Sequence, residues 1–327
     1  MSDSLLFIAL VAIAAALGAA VLVDALAVRA ARRVRSNPDP FPLALLREHP
    51  PADVERFVER PDGARIHVRS GGSGPTVVFA HGYGITSLEW NILCRRLEAA
   101  GRRWVTFDLR GHGRSTIGSE GMGASTLAGD YVAVLEALAI EDAVFVGHST
   151  GGFLAILTML EHPTVLARLS GFVALASFAG EINRGAPQNG LQRPLLALGL
   201  LQALARSSTY RWLFGASLCG ELPSPAMIEV FTEVFGALPH DELAALQDDI
   251  ETMSLYDRLE EIPVPTVVIC GEMDRTAPRW HSEQLGVRIP KARNVWVAGK
   301  GHALNWEAPE VVIEGIEFLL RRAKRRK

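Results

Sequence analysis

The chain has 327 residues, of which 49% are hydrophobic and 21% charged, so it can bury a large core and is not expected to be disordered. The net charge is −3, and ten of its 33 basic residues are concentrated in two short stretches, residues 29–35 and Arg321–Lys327. The rest of the chain is therefore acidic, which excludes an extended basic surface for nucleic acid.

The first feature along the chain is an unbroken run of apolar residues, alanine and glycine from Leu5 to Val23. In a helix this run spans roughly 28 Å at about 1.5 Å per residue, close to the ~30 Å core of a bilayer. The sequence predicts a transmembrane anchor with a basic flank, residues 1–35, and the following arginines favour a cytoplasmic location for the remaining chain. A signal peptide cleaved near residues 25–27 and a buried helix of the globular domain remain as alternatives.

Residues 36–53 contain five prolines and are predicted to form a stiff linker, so that removal of residues 1–35 should leave an active soluble domain. A hairpin is expected next, with Val54–Glu59 and Ala64–Arg69 on either side of a Pro-Asp-Gly turn. Short apolar runs typical of buried parallel strands then follow at Thr76–Ala80, Trp104–Phe107, Ala143–Val146, Phe172–Ala176, Thr266–Cys270 and Val295–Val297.

Helical patterns lie between most of these strands, among them Leu88–Ala100, Thr126–Leu138 and Gly152–Glu161. Alternating strands and helices predict an α/β fold with a mostly parallel sheet covered on both faces. Residues 180–257 interrupt the alternation and are predicted to form a helical insertion, with patterns at Leu195–Leu204, Met227–Phe235 and Leu243–Ile250. The core is thereby divided into residues 54–179 and 258–327.

The strongest chemical signal is Gly147-His148-Ser149-Thr150-Gly151, which directly follows a predicted strand and precedes a predicted helix. A G-x-S-x-G sequence in this context is typical of a nucleophile elbow, in which a sharp turn exposes the serine hydroxyl. We therefore predict that Ser149 is a nucleophile. The alternative is a glycine-rich strand-to-helix turn in which the serine has no catalytic role.

An oxyanion needs two convergent N–H donors, and two candidates flank the elbow. One is the backbone N–H of Thr150, and the other is that of Tyr83 in the loop His81-Gly82-Tyr83-Gly84 after the strand Thr76–Ala80. His81, Gly82, Gly147, His148 and Gly151 are predicted to support the site. The turn Asp108–Ser115 is expected to be structural, including His112.

A base and an acid follow the nucleophile in the order Ser, Asp, His. His302 comes after the strand around Val295–Val297 and would accept the Ser149 proton, while Asp274, after the strand Thr266–Cys270, would orient the imidazole. Glu181 is a rival for the acid. The cysteines Cys94, Cys219 and Cys270 lack metal-ligand spacing and are expected to be reduced, so neither a metal nor a cofactor is predicted.

Taken in order, these motifs resemble the α/β-hydrolase superfamily over residues 54–323, without the first 53 residues. The resemblance implies an eight-stranded sheet with a helical cap at 180–257 over the nucleophile. A serine at position 149 disfavours the epoxide hydrolase and dehalogenase branches, which have an aspartate there. The Ser-Thr-Gly-Gly form also resembles cofactor-free haloperoxidases and perhydrolases.

The resemblance implies a serine esterase or lipase-like enzyme without a cofactor. The apolar cap favours an apolar small-molecule or lipid substrate, such as a medium-chain ester, delivered from a membrane contacted by residues 5–23. A perhydrolase or a C–C bond hydrolase on the same triad is the first alternative, and a non-catalytic binding protein on this fold is the second.

Overall fold

The computed structural model describes the backbone of residues 3–325 and the side chains of residues 18–325. Within them, eight strands form one sheet in the order β1-β2-β4-β3-β5-β6-β7-β8. Strand β2 is antiparallel to β1 and to β4, and the other neighbours are parallel. The strands are β1 Val54–Glu59, β2 Arg65–Gly71, β3 Thr76–Ala80, β4 Arg103–Phe107, β5 Ala143–His148, β6 Leu169–Leu175, β7 Thr266–Gly271 and β8 Ala292–Val297.

The α-helices are, in chain order, α1 Asp3–Arg35, α2 Leu43–Arg47, α3 Asn91–Ala99, α4 Ala124–Ala137, α5 Thr150–Glu161, α6 Gln192–Ala197, α7 Leu200–Arg206, α8 Tyr210–Ala216, α9 Pro225–Ala237, α10 Ala244–Thr252, α11 Arg279–Arg288, α12 Leu304–Glu307 and α13 Pro309–Lys324. Short 3₁₀ helices lie at Ser87–Trp90, Pro163–Arg168, Pro187–Leu191 and Tyr256–Glu261. The predicted α/β fold with a mostly parallel eight-stranded sheet is confirmed.

The central strands are buried on both faces because their side chains are apolar at consecutive positions. All residues of β5 are buried, with Phe145 in the core on one face of the sheet and Val144 and Val146 in the core on the other. An unbroken apolar run is what a parallel strand covered by helices requires. The carboxyl ends of these strands, where a ligand site is expected, therefore share one edge of a rigid sheet.

Helices α6 to α10 lie between β6 and β7 and form the region predicted as a cap. The prediction of one helix over Leu195–Leu204 was wrong, because α6 ends at Ala197 and α7 begins at Leu200. Gly199 between them has a φ of 69°, a left-handed conformation that ends a right-handed helix. The break leaves Leu198 72% exposed.

Helix α1 contains the predicted membrane segment, of which residues 5–17 lie outside the described side chains. Among the described residues, none of the helices combines the length and the apolar character needed to cross a membrane. Most of the predicted span lies outside the described side chains, so the transmembrane anchor stays a prediction.

The second half of α1 packs against the cap. Residues 18–26 are exposed, whereas Ala27 and Ala31 are each 5% exposed. Ala31 contacts a small apolar cluster with Trp212 of α8 and Ile228 of α9. The last turns of α1 therefore cover apolar surface of the cap.

The proline-rich segment 36–53 also contacts the cap. Asp39 accepts a hydrogen bond from Ala226 N–H at 2.9 Å in the first turn of α9, a position that favours a carboxylate. Leu46 of α2 is completely buried in a cluster with Met227 and Trp306. Residues 36–53 thus form part of the packed domain surface, in addition to joining α1 to β1.

Candidate active site

Ser149 is the single residue between a strand and a helix, since β5 ends at His148 and α5 begins at Thr150. Its φ of 51° and ψ of −121° are strained for a residue with a side chain. A Cβ on Gly151 would overlap the carbonyl oxygens of Ala80 and His81, so the turn requires glycine there to approach β3. The local geometry is that of a nucleophile elbow.

Strand β6 fixes the strained backbone of the elbow. Ser149 N–H donates to the Leu175 carbonyl oxygen at 3.0 Å. The Ser149 carbonyl oxygen in turn accepts a hydrogen bond from Ser177 Oγ at 2.9 Å. Because both backbone groups have partners, the position of the Ser149 side chain depends on the sheet and not on contacts with a ligand.

The loop after β3 lies against the elbow and supplies backbone donors. A Cβ on Gly82 would be only 3.3 Å from the Ser149 Cβ. Tyr83 and Thr150 line the same cavity as Ser149, and neither backbone N–H donates a hydrogen bond within the part of the chain that the structure describes. Two free N–H groups next to Ser149 are the arrangement that a developing oxyanion needs.

His302 and Asp274 meet at the carboxyl ends of β7 and β8. His302 Nδ1 lies 2.8 Å from Asp274 Oδ2, and both side chains are buried. The other carboxylate oxygen, Oδ1, accepts from the N–H groups of Thr276 and Ala277 at 2.9 Å each. Because the carboxylate is an acceptor, it places a proton on Nδ1 and leaves Nε2 of His302 available as a base.

The loop that carries His302 is held by the cap as well as by the core. His302 N–H donates to the Leu218 carbonyl oxygen at 2.7 Å. The Glu307 carboxylate accepts from Gly220 N–H at 2.7 Å and from Gly301 N–H at 2.9 Å. Glu307 therefore joins a cap segment, residues 217–221, to the loop before His302.

His81 is completely buried and neutral. Leu109 N–H donates to its Nε2 at 2.8 Å, so the ring proton must lie on Nδ1, which donates to the Gly82 carbonyl oxygen at 2.8 Å. Burial lowers the pKa of His81, in agreement with a neutral ring. The histidine fastens the loop 81–84 to the turn after β4.

The turn after β4 has the structural role expected for it. Asp108 accepts hydrogen bonds from Ser87 and from Arg114 N–H, at 2.7 and 3.0 Å. His112 Nδ1 lies 3.0 Å from the Arg110 carbonyl oxygen, and burial lowers the pKa of His112 to about 3. These residues support the loop around His81 and do not line the cavity at Ser149.

Glu181, the rival acid, is placed elsewhere. Its carboxylate pairs with Arg184 at 3.1 Å on a partly exposed surface, and its backbone φ is 50°. Asp274 is thus the carboxylate that contacts His302. Among the described residues, no group of three or more histidine, cysteine or acidic side chains is arranged to hold a metal ion, and the three cysteines are free and buried.

Glu89 is the important residue that the sequence analysis missed. It is 2% exposed in the 3₁₀ helix Ser87–Trp90, and its carboxylate accepts from Gly82 N–H at 3.1 Å and pairs with His148 Nδ1 at 3.0 Å. The available signal was an acidic residue between Leu88 and Trp90, at a position where the predicted helix is otherwise apolar.

Ser149, Thr150, Tyr83 and His302 open into one cavity of about 260 Å³. The cap contributes most of its apolar wall, through Leu195, Leu196, Leu201, Phe214, Met227, Ile228, Phe231 and Phe235. Two leucines of the apolar cap sequence do not line the cavity: Leu198 and Leu200 are 72% and 46% exposed. Part of the apolar sequence of the cap is therefore exposed to solvent and does not line the cavity.

The comparisons with known proteins agree with this architecture. Residues 77–314 match the alpha/beta hydrolase family. The AB hydrolase superfamily protein YisY of Bacillus subtilis (strain 168) is 26% identical over 264 residues, covering 78% of this chain and 95% of YisY. A non-heme haloperoxidase of Rhodococcus erythropolis is 40% identical over 96 residues, which are 29% of this chain and 35% of that protein.

A solved structure gives the same result at the level of the fold. The esterase EaEST from Exiguobacterium antarcticum superimposes with a TM-score of 0.68 at 21% sequence identity, over 83% of this chain and all of the esterase. The family match extends from β3 into α13 and includes the elbow, Asp274 and His302. This chain belongs to the alpha/beta hydrolase family.

Proposed function

We propose that this protein is a serine hydrolase that cleaves a carboxylic ester of an apolar or lipid-like substrate through an acyl-enzyme. One observation carries the proposal: the strained Ser149 opens, together with His302 and two free N–H groups, into a cavity with apolar cap side chains in its wall. The Asp274–His302 hydrogen bond supports the assignment of His302 as the base.

The geometry suggests the following reaction. His302 Nε2 removes the proton of Ser149 Oγ as the oxygen attacks the ester carbonyl carbon, and the N–H groups of Tyr83 and Thr150 bind the oxyanion. Collapse of the tetrahedral intermediate breaks the C–O bond, and the alkoxide leaving group takes the proton from His302. Water then attacks the acyl-enzyme with the same proton transfers, which releases the acid and restores Ser149.

The cavity predicts a preference for acyl chains of medium length. Its volume of about 260 Å³ lies just below the usual range of about 300–1,000 Å³ for ligand pockets. Each buried methylene contributes about 0.8 kcal/mol, so kcat/KM should rise several-fold for each two-carbon extension, and at most about 15-fold, until the cavity is full. The measurement is a series of acyl esters from two to sixteen carbons at matched concentrations below KM.

Two outcomes of this series are informative. A maximum at intermediate length supports the apolar substrate, and Phe231→Ala should move that maximum toward longer chains because the phenyl ring lines the cavity. A maximum at acetyl, or a preference for charged acyl groups, contradicts the apolar substrate. Labelling of Ser149 by a fluorophosphonate probe tests the serine hydrolase assignment separately from substrate class.

Perhydrolysis is the second candidate, because the non-heme haloperoxidase of Rhodococcus erythropolis is 40% identical over 96 residues. In that reaction hydrogen peroxide replaces water in the attack on the acyl-enzyme and gives a peracid, which oxidises halide. Assays with acetate or ester, peroxide and bromide separate the two reactions by their products. A C–C bond hydrolase would instead turn over a diketone, and a binding protein on this fold would show neither turnover nor labelling.

We also propose that the apolar run Leu5–Val23 attaches the protein to a membrane, with the catalytic domain on the cytoplasmic side. The support comes from the length of the run and from the arginines at positions 29, 32, 33 and 35. The exposed Val21, Leu22, Val23 and Leu26 are compatible with a lipid environment. Full-length protein should then remain with membranes through high salt and alkaline wash.

Two truncations test attachment and docking of α1 separately. A chain that starts at Asp24 should become soluble and keep its activity, because Asp24 and Ala31 retain their cap contacts and Ala27 stays buried. A chain lacking residues 1–35 should lose about 3–5 °C in Tm, since uncovering this face costs about 2–3 kcal/mol and a chain of this length loses about 0.6 kcal/mol per degree near Tm. Equal Tm values for the two chains would contradict docking of α1, and a full-length protein released by high salt would contradict the anchor.

A further inference from the structure

A buried ion pair lies directly beneath the nucleophile. His148, the last residue of β5, is 6% exposed, and Glu89 is 2% exposed. His148 Nδ1 lies 3.0 Å from Glu89 Oε2, and the reaction described above uses neither side chain. Two charged groups this deep in a protein are costly to bury, so they persist only where each has good partners.

The partners of His148 determine its protonation state. Its Nε2 lies 3.0 Å from the backbone carbonyl oxygen of His302, which can only accept, so Nε2 must carry a proton. Its Nδ1 faces the Glu89 carboxylate, which also accepts. Both ring nitrogens are therefore donors, and the ring is an imidazolium, in contrast to the neutral ring of His81.

The charges around His148 are consistent with this state. Burial lowers the pKa of His148, but the charge of Glu89, the hydrogen bonds to Glu89 and to the His302 carbonyl, and the charge of Asp274 together raise the pKa above 6.5. The other titratable neighbours are His302, with ring centroids 4.8 Å apart, and the neutral His81. The positive charge is thus balanced mainly by Glu89.

The pair connects the three segments that carry the reacting groups. Glu89 Oε1 accepts from Gly82 N–H at 3.1 Å, next to Tyr83. The Glu89 carbonyl oxygen accepts from Asn305 Nδ2 at 3.0 Å, three residues after His302. His148 precedes Ser149 in the chain and holds the His302 carbonyl. One ion pair therefore contacts the oxyanion loop, the elbow and the loop that carries the base.

We propose that Glu89 and His148 are positioning residues that keep His302 and the oxyanion loop at the correct distance and orientation relative to Ser149. This inference rests on the proposed ester hydrolysis. Neither side chain takes part in the proton transfers proposed above. Their loss would misplace the reacting groups, which slows the chemical step and lowers kcat. Misplacement of a catalytic group by about 1 Å costs on the order of 100-fold in rate. Both side chains also line the cavity, but its apolar wall comes mainly from the cap, so substrate affinity should change little.

The kinetic test compares two substitutions of His148. Phenylalanine fills the space without a donor, whereas glutamine retains an N–H that can reach the His302 carbonyl. We expect kcat to fall about 100-fold in His148→Phe with KM within about threefold of wild type, and about tenfold of this loss to be recovered in His148→Gln. Wild-type kcat in His148→Phe, a loss confined to KM, or equal kcat values for both variants would overturn the proposal.

A spectroscopic measurement on the wild-type protein tests the ion pair without relying on the folding of a variant. With ¹⁵N-labelled histidine, the His148 ring should show two protonated nitrogens at pH 6.5, and Glu89→Gln should shift its titration to lower pH. A single neutral tautomer of His148 at pH 6.5 would overturn the assignment. If the wild type neither hydrolyses esters nor reacts with fluorophosphonate, the proposed function fails, and the spectrum still decides on the ion pair.

Discussion

Replacement of Ser149 by alanine should lower ester turnover by about 10⁴–10⁶-fold while the protein remains folded. The loss is large because the acyl-enzyme cannot form without Oγ, and the remaining N–H groups of Tyr83 and Thr150 can only stabilise attack by water. Folding should be preserved, since the elbow is held by its backbone hydrogen bond to Leu175 of β6 and by the bond from Ser177 Oγ to the Ser149 carbonyl oxygen, and alanine has the same Cβ as serine.

The measurement is the initial rate with a chromogenic medium-chain ester, together with circular dichroism and Tm. Ser125→Ala is the matched control, because Ser125 is an exposed serine on α4 that bonds Glu161 and lies outside the cavity. It should retain wild-type activity. If Ser149→Ala keeps more than a few per cent of the wild-type rate, another nucleophile must be responsible.

Replacement of Asp274 by asparagine should lower kcat by about 10⁴-fold. The asparagine oxygen can still accept from the N–H groups of Thr276 and Ala277, so the amide nitrogen would face His302 Nδ1 as a donor. His302 would then carry its proton on Nε2, where it cannot accept the proton of Ser149. Geometry and volume hardly change, so the loss would report the tautomer.

Glu181→Gln is the control for this substitution, because Glu181 pairs with Arg184 and has no contact with His302. Its kcat should stay within about twofold of wild type. The opposite result, with a severe loss in Glu181→Gln and a mild one in Asp274→Asn, would mean that the acid is supplied after β6.

The sheet and the positions of Ser149, Asp274 and His302 at its edge were predictable because their signals are local. Strand β7, which precedes Asp274, is a buried and mostly apolar run, whereas β8, which precedes His302, is a half-buried strand at the edge of the sheet. Ser149 carries a five-residue pattern whose strand and helix are visible on either side. Parallel strands end at one edge of the sheet, so the approximate position of these side chains follows from their order.

Other features depend on contacts between distant parts of the chain. Glu89 lies within a helical pattern, and its burial beneath His148 is set by packing of residues 59 positions apart. Docking of α1 on α8 was not predicted because the small residues Ala27 and Ala31 give no amphipathic signal. The break at Gly199 was missed since a glycine within an apolar run is compatible with a continuous helix.

The hydrogen bond from His302 N–H to the Leu218 carbonyl has a consequence for protein engineering. The cap is a continuous insertion between β6 and β7, but its 217–221 segment packs backbone against backbone on the loop that carries His302, and a Cβ on Gly220 would overlap the Gly299 carbonyl oxygen. A chimera joined at the ends of the whole insertion would replace this support. If the recombination points are placed on either side of residues 217–221, this segment stays with the parental core. The chimera should then take its substrate preference from the new cap and keep His302 aligned with Ser149.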